Sequence, residues 1–267
     1  MRYDLAFIGA GNMAEAIVRS AVAGGVVEAG RVLAVDLSAE RRGVFADMGC
    51  AVAERIDQQV GGAGQVVLSV KPQVFGVVAA SLASVLREDQ VVVSIMAGLS
   101  TAKISEAVGG HARVVRVMPN TPVMVGQGMA GIALGEHAEP GDDAVAMRLF
   151  EAGGKAVRVS ESLMDAVTAV SGSGPAYVFY LAEAMSAAAE KLGLGEHADV
   201  LVRQTILGAA QLLSGSDASA TELRRRVTSP GGTTEAAINA LSEAGFVESV
   251  MEAIGKAEAR GRELGEA

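Results

Sequence analysis

Leu5-Ala6-Phe7-Ile8-Gly9-Ala10-Gly11-Asn12-Met13-Ala14 is the stretch that decides the fold. A four-residue apolar run breaks at a glycine-alanine-glycine turn, and helical spacing follows over 12–24. Each position answers a physical demand. Gly9 makes the tight turn, Gly11 lets the backbone approach a pyrophosphate, and the small Ala14 lets the helix pack on the strand. The first-turn amides at the positive helix end, around Asn12 and Met13, then face the phosphates. After a strand and inside a strand–helix–strand unit, Gly9, Ala10, Gly11, Asn12 and Met13 read as a dinucleotide-binding loop. The bland alternative is a structural turn.

Working outward, Val32–Val35, Val66–Val70, Val91–Ile95 and Val114–Met118 are further short β-branched runs, apolar on both faces. That pattern suits a parallel sheet covered by helices on both sides. Helical spacing over 39–47 and 73–86 supplies crossovers, so the class is α/β, with an amino-terminal Rossmann-type doubly wound sheet. Gly128–Leu134 and Ala156–Val159 are expected as added strands where the sheet turns mixed. Asp36 ends the second strand, 25 residues after Gly11, where a carboxylate accepts from a ribose 2′-hydroxyl and repels a 2′-phosphate. It therefore favours NADH over NADPH; Arg41 and Arg42 either offset this or lie on a solvated helix face. Three more loops leave strand carboxyl ends: Ser69-Val70-Lys71-Pro72, Met96-Ala97-Gly98 and Met118-Pro119-Asn120-Thr121-Pro122. Together with the glycine loop they suggest a lined crevice.

From about 161 the strand signal stops. Tyr177, Leu181, Met185, Ala188 and Leu192 fall at helical spacing, as do Leu201, Thr205, Gly208 and Leu212, with further helices at 219–227, 233–243 and 246–264. The expected domains are 1–160, dinucleotide-binding, and 161–267, helical. These helices are apolar over most of their circumference, more than about 105 residues can hide alone. The helical half is therefore expected to pack against a copy of itself, with burial against the first domain as the alternative.

Composition narrows the partners. Half the residues are apolar and only 3% aromatic, with 33 glycines, so the core is aliphatic and closely packed. Twenty-two basic against 31 acidic side chains give a net charge of −9, which argues against nucleic acid as a partner. Cys50 stands alone and His111, His137 and His197 are scattered, so no metal site is expected. No signal segment or membrane span is read, so a cytoplasmic setting is expected.

Two glycine-proline clusters remain that helices do not need. Ser171-Gly172-Ser173-Gly174-Pro175-Ala176-Tyr177 interrupts one helical stretch and starts another. Ser229-Pro230-Gly231-Gly232-Thr233-Thr234 precedes a helix whose free amides offer a carboxylate site in an acidic chain. The structural alternative is capping, with Ser229 or Thr233 as N-cap and Pro230 at the first position.

These clusters, with Gly9–Ala14, Val70-Lys71-Pro72, Ala97-Gly98 and Arg116–Pro122 in this order, closely resemble the pyrroline-5-carboxylate reductase family over nearly the whole chain. One departure is Arg55-Ile56-Asp57, where the family often has an Asn beside the adenosine. The resemblance implies NADPH or NADH as cofactor and an interlocked helical homodimer, often assembled further into decamers. It also implies an active site between the domains, partly built by a neighbouring subunit. It implies reduction of L-1-pyrroline-5-carboxylate, a cyclic imine, to L-proline, the last step of proline biosynthesis. By the same resemblance Thr234 is the catalytic residue, at the ring nitrogen. Ser229, Gly232, Thr233 and Thr234 hold the substrate carboxylate, and Lys71 and Asn120 lie near the nicotinamide. Two rivals stay open: a 3-hydroxyacid or other imine reductase on the same plan, and a nucleotide-sensing protein without turnover. A hydroxyacid enzyme would be expected to carry a lysine in the first helix of its second domain, yet Lys191 stands well beyond Gly174. A sensor would have little reason for the Ser229–Thr234 nest.

Overall fold

The structure, a computed structural model, describes residues 2–266. Eight strands form one sheet: β1 (Leu5–Ile8), β2 (Val32–Val35), β3 (Ala51–Ala53), β4 (Gln65–Leu68), β5 (Val91–Ser94), β6 (Arg113–Pro119), β7 (Gly128–Leu134) and β8 (Gly154–Arg158). Their spatial order is β3-β2-β1-β4-β5-β6-β7-β8. The first six run parallel, β7 is antiparallel to β6, and β8 is parallel to β7. The direction of winding reverses between β1 and β4, the place where open α/β sheets bind ligands.

Strand alternation explains why both faces are apolar. Leu5, Phe7, Ala34, Val67 and Val93 enter one core, while Ala6, Ile8, Leu33, Val66, Leu68 and Val92 enter the other. Helices α1 (Asn12–Ala23), α2 (Ala39–Asp47), α3 (Gln58–Gly61), α4 (Phe75–Ala83), α5 (Thr101–Ala107) and α6 (Ala144–Glu151) connect and cover the strands. Ile17, Val18, Phe45 and Leu149 pack on the first face; Leu82 and Ile104 pack on the second. Each such buried chain contributes about 1.5–3 kcal/mol of transfer free energy. Helix α7 (Met164–Val167) and the π-helical turn Thr168–Gly172 follow.

Two expectations shift. The run from Val66 is extended only to Leu68, because the Ser69 hydroxyl turns to the carbonyls of Ile8 and Gly9. The helix expected over 73–86 divides into a 3₁₀ turn, Pro72–Val74, and α4, as the proline favours a first turn.

The remaining helices are α8 (Gly174–Lys191), α9 (Ala198–Ser214), α10 (Ala220–Arg226), α11 (Thr233–Glu243) and α12 (Phe246–Glu266). Contacts divide the chain into two compact units. Residues up to Ser173, with the segment from Ala257 onward, form one; Gly174–Lys256 form the other. In the second unit α8 packs on α9. Its buried apolar residues, among those described, are only Ala189, Ala198 and Val202. Phe179, Tyr180, Val200, Leu207 and Leu212 are each at least half exposed. Among the described residues no helix is long and apolar enough to cross a membrane.

Candidate active site

Gly9 leaves β1 with φ +98°, and a Cβ there would stand 2.8 Å from the Ser69 carbonyl oxygen. Only glycine takes that conformation in that space. Gly11 differs: a Cβ there would meet nothing within 4 Å. The open space lies against the start of α1, whose N-cap is Gly11 with no side-chain cap. The amides of Asn12, Met13 and Ala14 thus have no partner within the helix and sit at its positive end. An uncapped helix start beside an open glycine is a cradle that fits a diphosphate.

Asp36 directly follows β2 beside this loop. Its Oδ2 accepts from the Ala10 amide at 2.7 Å and its Oδ1 from the Ser38 amide at 2.9 Å. The carboxylate therefore fixes the glycine loop as well as facing the corner where a ribose would lie. Arg41 and Arg42 are not on a solvated face, since both are partly buried and engaged. Arg41 donates to the Ala10 carbonyl at 2.6 Å and to the Glu15 carboxylate at 2.8 Å. Arg42 donates to the carbonyls of Asp36 and Leu37 at 2.7 and 2.9 Å. Arg41, and secondarily Arg19, hold the Glu15 carboxyl below the usual range. Glu15 was not legible as a site residue; its place one helical turn beyond Gly11 was the available signal.

The register aligns the other loops on the same edge. Ile8 pairs with both Val35 and Leu68, and Leu68 pairs with Ser94. Gly9, Asp36, Ser69–Pro72 and Ala97-Gly98 thus leave adjacent strand ends together. The Ser69 hydroxyl donates to Gly9 O at 2.6 Å, tying two of these loops. Val70 is partly buried, Lys71 is exposed, and Pro72 starts the 3₁₀ turn. Ala97 is exposed, and Gly98, at φ +77°, lies against Leu264 near the end of α12. Asn120 follows β6, with its amide engaged on both sides. Oδ1 accepts from Met129 N at 2.8 Å and Nδ2 donates to Ser171 O at 3.1 Å.

Arg116, only 5% exposed on β6, pairs with Glu161 at 3.0 Å and Asp165 at 3.4 Å. Glu161 also accepts from the Thr101 amide. Sequence reading found the arginine but neither acid, because no local spacing links 116 to 161.

In the helical unit, Gly232 is the N-cap of α11 and carries no side chain to cap it. The structural alternative, a cap by the side chain of Ser229 or Thr233, does not form. Gly231, at φ +72°, donates its amide to Glu235 at 2.8 Å, and Gly232 donates to the Ser229 carbonyl at 3.0 Å. The amides of Thr233 and Thr234 begin the helix without internal acceptors. The Thr234 hydroxyl makes no hydrogen bond among the described residues. Ser229, Gly232, Thr233 and Thr234 thus form one turn in which the amides of Thr233 and Thr234 are the donors left for an anion.

His111 and His137 do meet, edge to face at 5.8 Å, but both are exposed. Among the described residues no three His, Cys, Asp or Glu side chains gather as metal ligands.

Two family models match. One, for pyrroline-5-carboxylate reductase dimerisation, covers residues 161–264. The other, NADP oxidoreductase coenzyme F420-dependent, covers 4–98. A pyrroline-5-carboxylate reductase of Pseudomonas aeruginosa is 45% identical across 98% of this chain and 97% of its own. One from Glycine max is 40% identical across 98% and 96%. Among solved structures, a pyrroline-5-carboxylate reductase from Coxiella burnetii superposes with TM-score 0.92 at 36% identity, covering 99% of both chains. The Plasmodium falciparum pyrroline carboxylate reductase with NADP bound reaches 0.86 at 28% identity, covering 98% of both. At 45% identity across nearly the whole of both chains, this chain belongs to the pyrroline-5-carboxylate reductase family.

Proposed function

We infer that this chain reduces L-1-pyrroline-5-carboxylate to L-proline with NADPH or NADH. The observation that carries the reading is the pairing of two uncapped helix starts in one chain of this family. One, at Gly11, suits a diphosphate, and the other, at Gly232, suits a carboxylate. A sensor without turnover has little reason to keep the second, and a hydroxyacid reductase is not expected to build its carboxylate site from such a cluster.

A bound reduced dinucleotide supplies the hydride, and the chain's own groups supply position. Gly9, Ala10, Gly11, Asn12 and Met13 receive the diphosphate, and Asp36 the adenosine ribose. Ser69, Val70, Lys71, Pro72, Ala97, Gly98 and Asn120 border the nicotinamide side, with Asn120 fixing its loop through Met129 and Ser171. The Ser229 hydroxyl and the backbone turn at Gly232, Thr233 and Thr234, through the free amides of the two threonines, take the substrate carboxylate. The Thr234 hydroxyl hydrogen-bonds the ring nitrogen. As the imine carbon accepts hydride, the π pair moves to nitrogen, which keeps its proton. A protonated imine is already electrophilic, so no paired-carboxylate acid and base are needed.

The functional boundary is placed near residue 160, supported by the dimerisation match from 161. A homodimer through the helical half, assembling further to a decamer, fits the apolar surface of α8 and α9. A cytoplasmic setting fits a reaction between small soluble partners. Deuterium carried at the reactive position of the dinucleotide tests the reaction. It is expected in proline on the carbon beside nitrogen that lacks the carboxylate; proline formed without label there would refute direct hydride transfer.

A further inference from the structure

We propose that Glu15 sets which nicotinamide dinucleotide this chain prefers, by holding Arg41 against the glycine loop and so denying a cation to a 2′-phosphate. The proposal rests on the reading of Gly9–Met13 and Asp36 as the dinucleotide site. NADH and NADPH differ only at the adenosine ribose, where NADPH adds a phosphate of roughly −1.5 to −2 charge. Discrimination therefore depends on which charges are free at the corner between β2 and the glycine loop.

Asp36, Arg41, Arg42 and Glu15 meet at that corner. Asp36 presents a carboxylate fixed by the Ala10 and Ser38 amides, which repels the extra phosphate. Arg42 is spent on the carbonyls of Asp36 and Leu37, with Glu54 at 3.7 Å. Arg41 is a cation already at the loop, since its Nε donates to Ala10 O at 2.6 Å. Its outer nitrogen is taken by Glu15 at 2.8 Å, and Glu15 also holds Arg19 at 2.9 Å. Arg41 and Glu15 side chains are each only 23% exposed, so water screens this pair less than a surface pair. With Glu15 in place, Asp36 and Glu15 present carboxylates there, Glu54 sits against Arg42, and among the described residues the corner holds no unpaired guanidinium. Without it, Arg41 keeps its anchor on Ala10 and gains free donors suited to phosphate.

The test measures equilibrium dissociation constants of NADH and NADPH by calorimetry, without substrate. Wild type, Glu15→Ala, Glu15→Gln, the double variant Glu15→Ala/Arg41→Ala and Glu28→Gln are compared. Glu28 is exposed, before β2 and at the strand end away from Asp36, so it controls for net charge. Wild type is expected to bind NADH more tightly. Glu15→Ala should move the ratio of the two constants about tenfold toward NADPH, the worth of one charged hydrogen bond. Glu15→Gln, which preserves shape should the alanine unfold the loop, moves it the same way by less. The double variant and Glu28→Gln should keep the wild-type ratio. An unchanged ratio in both Glu15 variants overturns the proposal, as does a shift that survives loss of Arg41. Failure of wild type to bind either dinucleotide would instead remove the cofactor reading on which the proposal stands.

Discussion

Gly9 and Thr234 each support a single-residue prediction. Gly9→Ala forces a left-handed backbone onto a Cβ that would stand 2.8 Å from Ser69 O. Strain of this kind costs about 1–3 kcal/mol. Urea unfolding should show that loss, and dinucleotide binding should weaken with it; unchanged stability and affinity would mean the turn relaxes freely. Thr234→Ala should lower kcat about a hundredfold, the lower range for a positioned proton-handling group. Dinucleotide affinity and melting temperature should stay put, since the hydroxyl has no partner among the described residues. Undiminished turnover would remove Thr234 from the mechanism. At this scale the turn at Gly9 was legible, because a strand that breaks at a glycine states a local backbone requirement. Glu15, Glu161 and Asp165 were not, because their partners lie 26, 45 and 49 residues away.

Elements were legible where periodicity is strong and local. β1, β2 and β7 and helices α2 and α11 have the limits their patterns indicate. β3, Ala51–Ala53, was missed, since three small residues at a sheet edge carry little hydrophobic signal. α5 and α6 were missed because no starting motif as specific as the glycine loop announces them; α5 is capped by Ser100, and α6 by no side chain. The loop after β6 was legible by its prolines, yet its function as a clasp was not. Asn120 joins the end of β6 to the start of β7 and to the π-helical turn at Ser171. Asn120→Ala leaves the Met129 amide without its acceptor, which costs about 1–3 kcal/mol. Chemical unfolding should register that loss. A variant as stable as wild type would show that the clasp carries no weight.

For the whole molecule, a helical unit with three buried apolar side chains cannot stand alone as α8 and α9 expose Phe179, Tyr180 and Leu207. Light scattering should give an even multiple of 27.1 kDa, and Phe179→Asp should lower it or make the chain aggregate; a monomer in the wild type would contradict the dimer. Acid should loosen the sheet unit through Asp142. Burial alone would raise that carboxyl, but the bidentate Arg113 guanidinium and the Glu139 amide outweigh it and hold it below its ordinary 3.8. A depressed folded value means stability present above the ordinary value and lost as pH falls through the folded one. The gap in melting temperature between wild type and Asp142→Asn should therefore narrow as pH drops from about 5 to about 2; a constant gap would exclude the linkage. The most direct measurement is the decay of reduced-nicotinamide absorbance with pyrroline-5-carboxylate and either NADH or NADPH. Rapid decay that requires the imine, with proline as product, is the predicted result. No decay with either cofactor, from protein shown to bind one, would contradict the reductase.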